Sequence, residues 1–298
     1  MTRTVLFIHG AWLTPASWDE FRAEFEKRGY QTVAPAWPYM DRSVMELRDN
    51  PAPELNHLGI AEIADHYARI AESLPEPPIL VGHSFGGLIV ELLLDRGIGV
   101  AGVAIDPAPP RGVLATPRAV LTGLPVLFSW RGWSRVHTMS EKNFRSGFAN
   151  GLTPEQQTKH FSEHVVPAPS RIVFQDALGI GTKIRYDNPD RAPLLLIGGT
   201  DDRTVPVGMV RSNYKKSQRA TSPTEFIEYP GRCHYQMAQD GWEKVADNII
   251  SWIGKVLPSD EPAKAPRTPK RKPAGAPEVK ATTPVDSGAT ASEVADAG

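Results

Sequence analysis

The chain has 298 residues, enough for one large domain or two ordinary ones and for a sizeable buried core. Apolar residues make up 41% and charged residues 22%, ordinary globular usage that excludes collagen-like, coiled-coil and wholly disordered readings for the bulk of the chain. With 33 Lys and Arg against 34 Asp and Glu there is no net field to gather nucleic acid or an anionic membrane, and the lone Cys233 excludes an internal disulfide.

In chain order, short apolar runs alternate with amphipathic stretches of helical spacing. Residues 4–8, 32–35, 78–81, 100–105, 194–197 and 225–229 read as strands, and residues 17–28, 60–73, 86–95, 207–219 and 242–256 as helices. Runs apolar on both faces imply an α/β fold: a mostly parallel, doubly wound sheet of about six strands, covered on both sides. The opening apolar run is too brief for a signal peptide and no small-x-small cleavage site follows it. No run approaches the ~18 apolar residues of a membrane span, so a cytoplasmic protein is expected.

The alternation stops between Pro107 and Arg191, where Pro/Gly punctuation and aromatic residues replace any strand pattern. A helical cap insertion over residues 107–191 is expected, dividing a core built from residues 1–106 and 192–257. From Pro258 to Gly298 there is no aromatic residue and no Leu, Ile or Met. Such a stretch cannot bury enough apolar surface to offset its ordering entropy, so residues 258–298 read as a disordered Pro/Ala/Lys-rich tail whose basic cluster is balanced by acidic residues.

The sharpest chemical signal is Gly82-His83-Ser84-Phe85-Gly86, a G-x-S-x-G between a predicted strand and a predicted helix. That context makes Ser84 a candidate nucleophile and aims the first amide of the helix, the Phe85 N–H, at any oxyanion formed there. His9-Gly10-Ala11-Trp12 ends the first strand and offers the Ala11 N–H as the second donor, while His9 reads as a hydrogen-bonding post for its loop. A serine also needs a base, and the base an orienting acid. His234 follows the last predicted strand, and Asp201 and Asp202 follow the strand before it, which puts them on the edge that carries Ser84. Of the seven other histidines none ends a predicted strand in this way. An unperturbed imidazole base would bring activity up through roughly pH 6 to 7.

Together these four motifs, in this order, resemble the α/β-hydrolase superfamily over roughly residues 3–257 outside the insertion. The family's G-x-x-D-x-x-V pattern falls on Gly199, Asp202 and Val205, so the resemblance selects Asp202 as the acid, with Asp201 as a solvent-facing neighbour. Asp106 is the reserve acid, since some members place the carboxylate after the earlier strand. The resemblance implies a Ser84–His234–Asp202 triad acting on a small or medium apolar ester through an acyl-enzyme, with a cap whose aromatics, Trp130 and Trp133 among them, line the pocket with Trp12. It also implies rival chemistries on the same residues: hydroxynitrile lyases, cofactor-free dioxygenases, perhydrolases and low-turnover receptors. This chain starts directly on the His-Gly strand and carries Cys233 where many members have glycine before the histidine; a buried filler is expected there.

No cofactor or metal is expected. Gly97-Ile-Gly-Val-Ala-Gly102 matches G-x-G-x-x-G but precedes a strand, the reverse of a dinucleotide site, and His160 and His164 lack a third ligand. Because residues 258–298 hold so little apolar surface, a chain ending at Ser259 is expected to keep the full-length Tm and turnover. Thermal melts and ester assays of the two lengths check this, and a loss of several degrees would mean that the tail docks.

Overall fold

In a computed structural model of the chain, residues 3–117, 126–127 and 131–257 are described. The expected tail and Trp130 lie outside these residues. The strands are β1 (Thr4–Ile8), β2 (Gln31–Val33), β3 (Ile79–His83), β4 (Ala101–Ile105), β5 (Val136–His137), β6 (Ala168–Pro169), β7 (Leu194–Gly199) and β8 (Thr224–Tyr229). The principal helices are α1 (Asp19–Lys27), α2 (Val44–Asp49), α3 (Ile60–Ser73), α4 (Phe85–Asp95), α5 (Pro154–His164), α6 (Arg171–Ala177), α7 (Val207–Ser217) and α8 (Trp242–Val256).

Six of the strands form one parallel sheet in the order β2-β1-β3-β4-β7-β8, as the α/β reading expects. Period-two alternation sends each strand's side chains to two different cores. Leu6, Ile8, Leu80, Ala104, Leu194 and Leu196 pack on one face, against α3, α4 and α7. Val5, Phe7, Val81, Val103, Leu195 and Ile197 pack on the other, against α1 and α8. The helices meet the sheet through stripes at helical spacing, such as Val245, Ala246, Ile249, Trp252 and Ile253 of α8. No helix among the described residues is long and apolar enough to cross a membrane.

The sequence reading differs from the structure in three places. Residues 17–28 split into a 3-10 turn over Pro15–Trp18 and α1, because Pro15 opens the turn as a separate unit. The six-residue helix α2 is too short to display a period, although Ser43 and Glu46 form a capping box at its start. Inside the interval expected to be helical, β5 and β6 pair antiparallel, Val136 opposite Pro169 and His137 opposite Ala168. Two residues per strand cannot produce a visible alternation, which is why this ladder was not legible.

Phe7 is fully buried between Trp18 and Phe25, at ring-centroid distances of 5.0 and 5.3 Å. Phe7→Ala therefore removes a central aromatic contact of the α1/α8 face and is expected to cost ~3–5 kcal/mol. Urea denaturation with the slope held in common measures it; a cost below about 1 kcal/mol would mean that this face collapses around the gap.

Candidate active site

The carboxyl edge of the sheet is where the backbone becomes unusual. Ser84 links β3 to α4 at φ 55° and ψ -121°, a region that side chains rarely occupy. Neighbouring glycines make this turn possible: a Cβ on Gly82 would lie 2.2 Å from the Gly86 carbonyl oxygen, and one on Gly86 would lie 2.1 Å from that of Ile8. Gly10 comes close to the elbow, since a Cβ there would sit 3.0 Å from both the His83 carbonyl oxygen and Ser84 Cβ, a tight contact. The loop after β1 thus lies directly against Ser84, bringing Ala11 and Trp12 beside it. Phe85 opens α4, so its N–H has no acceptor within the helix.

His9 is buried and holds this loop. Its Nδ1 donates to the Gly10 carbonyl at 2.9 Å, its Nε2 accepts the Trp37 N–H at 3.2 Å, and its ring stacks on Trp37. Burial lowers its pKa to about 4, so it is a neutral post.

His234 and Asp202 meet with both side chains fully buried. His234 Nδ1 donates to Asp202 Oδ2 at 2.7 Å, and Asp202 Oδ1 accepts the N–H groups of Thr204 and Val205 at 2.7 and 2.8 Å. The carboxylate is therefore held in the orientation that keeps the proton on Nδ1 and leaves Nε2 unprotonated. That Nε2 is buried and has no hydrogen-bond partner among the described residues. The histidine loop is fixed to the elbow by a contact that sequence reasoning missed: His83 Nε2 donates to the His234 carbonyl at 2.8 Å, and the two imidazole centroids are 4.7 Å apart. The first x in G-x-S-x-G thus ties the turn of Ser84 to the loop of His234. Burial pushes the His234 pKa down to about 3, below the ordinary imidazole range of about pH 6 to 7.

Asp201 is exposed and turns away; its carboxylate accepts from Thr200 Oγ1. Asp106, the reserve acid, ends β4 at φ 44° and is fully buried. It accepts the Gly199 N–H at 2.9 Å and the Gln236 side-chain amide, and its carboxyl is hydrogen-bonded to that of Asp202. Burial and the neighbouring Asp202 charge hold its pKa well above the carboxylate range, so Asp106 carries the proton that two adjoining carboxyls must share. The structure thus brings both candidate acids together, with Asp202 against the imidazole and Asp106 behind it. Gln236, two residues past the histidine, carried no signal in the sequence.

An apolar pocket opens on Ser84, walled by Trp12, Phe85, Val126, Met139, Phe148 and Met209. Trp12 bridges it to the insertion: its indole N–H donates to the His137 carbonyl at 3.0 Å, and its own carbonyl accepts the Val166 N–H. Trp133 does not line this pocket; it is 37% exposed, edge-on to Phe174 and beneath the Arg171 guanidinium. Cys233 is buried and its thiol is pushed up to about 12, inert as a nucleophile. The glycine-rich decoy is the α4–β4 turn, with Gly97 and Gly99 at positive φ. His160 and His164 stack on each other in α5. The atoms of His83, Asp106 and His234 that could ligate a metal lie within 4.8 Å of one another; both Asp106 oxygens, His83 Nε2 and His234 Nδ1 are taken up by the hydrogen bonds above, while His83 Nδ1 and His234 Nε2 have no partner among the described residues.

No curated protein matches the chain by sequence. Among solved structures it is similar to a monoacylglycerol lipase from Paleococcus ferrophilus, at 18% identity over 85% of this chain and 96% of that one, with a TM-score of 0.59. It is also similar to tomato methylketone synthase I solved with 2-tridecanone, at 15% identity over 86% and 99% with a TM-score of 0.64. An Arabidopsis methylesterase matches at 14% identity over 85% and 100%, with a TM-score of 0.62. A protein-family model described as the alpha/beta hydrolase family matches residues 5–248, which includes the elbow, both carboxyls and the histidine, and the chain belongs to that family.

Proposed function

We propose that the protein is a serine hydrolase that cleaves small to medium apolar carboxylic esters through an acyl-enzyme. The observation that carries this reading is the buried hydrogen bond from His234 Nδ1 to Asp202, which leaves Nε2 unpartnered on a loop tied to the elbow of Ser84. A serine hydroxyl is a weak nucleophile until a positioned base accepts its proton, and this arrangement supplies that base in the required tautomer.

In the proposed cycle Ser84 Oγ attacks the ester carbonyl as its proton passes to His234 Nε2. The carbonyl oxygen takes up negative charge and is stabilised by the Ala11 and Phe85 N–H groups. His234 then returns the proton to the departing alcohol, leaving the acyl group on Ser84. Water, deprotonated by the same imidazole, attacks the acyl carbonyl, and collapse of the second tetrahedral species releases the acid and restores Ser84. Asp202 stays ionised and stabilises the imidazolium formed in each half. Asp106, already neutral, adds no second negative charge behind it. The apolar wall by Ser84 favours an apolar acyl or alcohol arm.

Covalent chemistry at Ser84 separates this reading from a lyase or a receptor on the same residues. A fluorophosphonate is expected to label Ser84 stoichiometrically by mass spectrometry, and p-nitrophenyl esters to give an acyl burst. Ser84→Ala and His234→Ala are each expected to lower kcat by on the order of 10⁴-fold or more. Wild-type turnover in Ser84→Ala would sink the hydrolase reading.

The acids are distinguished by amide substitutions. Asp202→Asn is expected to cost ~10²–10⁴-fold in kcat because the amide favours the wrong histidine tautomer. Asp106→Asn, which keeps a neutral donor beside Asp202, and Asp201→Asn are expected to stay within about tenfold of wild type. A crippled Asp106→Asn beside a nearly normal Asp202→Asn would move the acid to β4.

Because burial lowers the His234 pKa, the base stays unprotonated further into acid than free imidazole does. The acid limb of kcat/KM is therefore expected below about pH 6, with one proton involved. A midpoint at or above about pH 6.5 in a pH-rate profile would contradict it.

A further inference from the structure

We propose that Asp176 is the polar anchor of the pocket beside Ser84, and that the preferred ester carries a hydroxyl group that donates a hydrogen bond to this carboxyl. This rests on the esterase reading above and adds to it a chemical class of substrate.

Asp176 lies in the last turn of α6, and Val173, Asp176 and Ala177, spaced i, i+3 and i+4, form the face of that helix that lines the pocket. The opposite side is fixed: Ile172 is buried, and Gln175 Oε1 accepts the Ile60 N–H at 2.8 Å, locking α6 to the start of α3. The helix therefore cannot turn to carry Asp176 to water without breaking a buried hydrogen bond. Asp176 is the one carboxylate among the pocket's described lining residues, whose walls are otherwise mostly apolar.

Its side chain is part-buried and accepts no hydrogen bond among the described residues; Oδ1 is enclosed, which leaves Oδ2 as the oxygen that meets the pocket. Burying a carboxyl without a partner is costly, and a carboxyl with a purely structural role is given one. Elsewhere in this molecule a buried carboxyl accepts at least one hydrogen bond: Asp106 has the Gly199 N–H and Gln236, and Glu91 has the Asn213 amide at 2.8 Å on one oxygen, its Oε2 being enclosed without a partner. Asp176 also sits at the carbonyl end of its helix, where the dipole disfavours an anion, and that turn holds no basic residue. Burial alone raises its pKa to about 7, with no charged neighbour contributing. A molecule that fills the pocket can supply the partner that the described residues do not.

A hydroxyl suits this carboxyl in both of its states. It donates to the carboxylate, and it also donates to the carbonyl oxygen of the neutral acid, so binding does not depend on ionising a group in an apolar site. An ammonium would require a buried ion pair, whose desolvation works against it. The remaining length of the substrate would lie on the apolar wall, with its ester carbonyl at Ser84.

The test compares esters that differ only by a terminal hydroxyl against a terminal methyl. Two series of increasing length are used, p-nitrophenyl alkanoates for the acyl arm and alkyl acetates for the alcohol arm. Wild type, Asp176→Asn and Asp176→Leu are assayed, with Tm as the check on folding. At one length, on one arm, the wild type is expected to favour the hydroxyl ester by at least about tenfold in kcat/KM, as buried polar recognition does. The preference should vanish or invert in Asp176→Leu and survive in part in Asp176→Asn, whose amide oxygen still accepts. Should Asp176→Leu fail to fold, the wild-type preference and its reduction in Asp176→Asn decide. No hydroxyl preference at any length on either arm, or an equal preference in a folded Asp176→Leu, overturns the proposal. Fluorophosphonate labelling separates the two levels: labelled Ser84 with turnover of plain esters and no preference defeats only the Asp176 assignment. An enzyme that neither labels nor cleaves any ester defeats both.

Discussion

The site depends on a backbone held where it would not stay by itself. Among the described residues five that are not glycine have positive φ, and three of them, Trp12, Ser84 and Asp106, follow the carboxyl ends of β1, β3 and β4. At ~1–3 kcal/mol each, three such residues store roughly 3–9 kcal/mol, comparable with the whole net stability of an ordinary domain. Only an over-determined surrounding can hold them. The three strands are adjacent in the sheet, buried on both faces, and joined past their ends by bonds such as Ser84 N–H to the Ile105 carbonyl and Asp106 N–H to the Ile197 carbonyl. The same close packing that makes glycine necessary at 82 and 86, and leaves little room for a Cβ at 10, fixes the positions of the side chains and amides that face the pocket.

On that frame the electrostatics are arranged in depth. The imidazole of His234 faces one carboxylate, Asp202, and a second carboxyl, Asp106, lies behind it and holds a proton. Removing the series from water strengthens each hydrogen bond in it and raises the cost of any unmatched charge. One negative charge is retained, opposite His234 Nδ1. Gln236 and the Gly199 N–H hold the neutral member in place, so it can serve as a fixed donor instead of a competing anion.

Much of this was legible in the sequence because the elements concerned are long or sterically demanding. Both-face apolar runs gave the six-stranded sheet, and Gly82, Ser84 and Gly86 announced the turn through the residues it cannot accommodate. Asp202 against Asp201 was separable only through the family pattern, since both follow the same strand; the backbone turn that buries one and exposes the other is a tertiary fact. Contacts between distant segments left no trace of their own. The bond from His83 to the His234 carbonyl spans 151 positions, and Gln236 to Asp106 spans 130. The pocket was the least legible part, because a two-residue ladder and a seven-residue helix have too few positions to express a period. Trp133, chosen for its ring, lies at the surface instead.

Trp12 is bonded on both sides, its indole to the carbonyl of His137 in β5 and its carbonyl to the N–H of Val166 just before β6. It is also the residue after Ala11, in the loop that Gly10 presses against the elbow. The short ladder of the insertion and the loop beneath it are therefore mechanically one piece. A displacement of that ladder is passed through Trp12 to the Gly10–Ala11 backbone beside Ser84, so the wall of the pocket and the loop at the elbow move together.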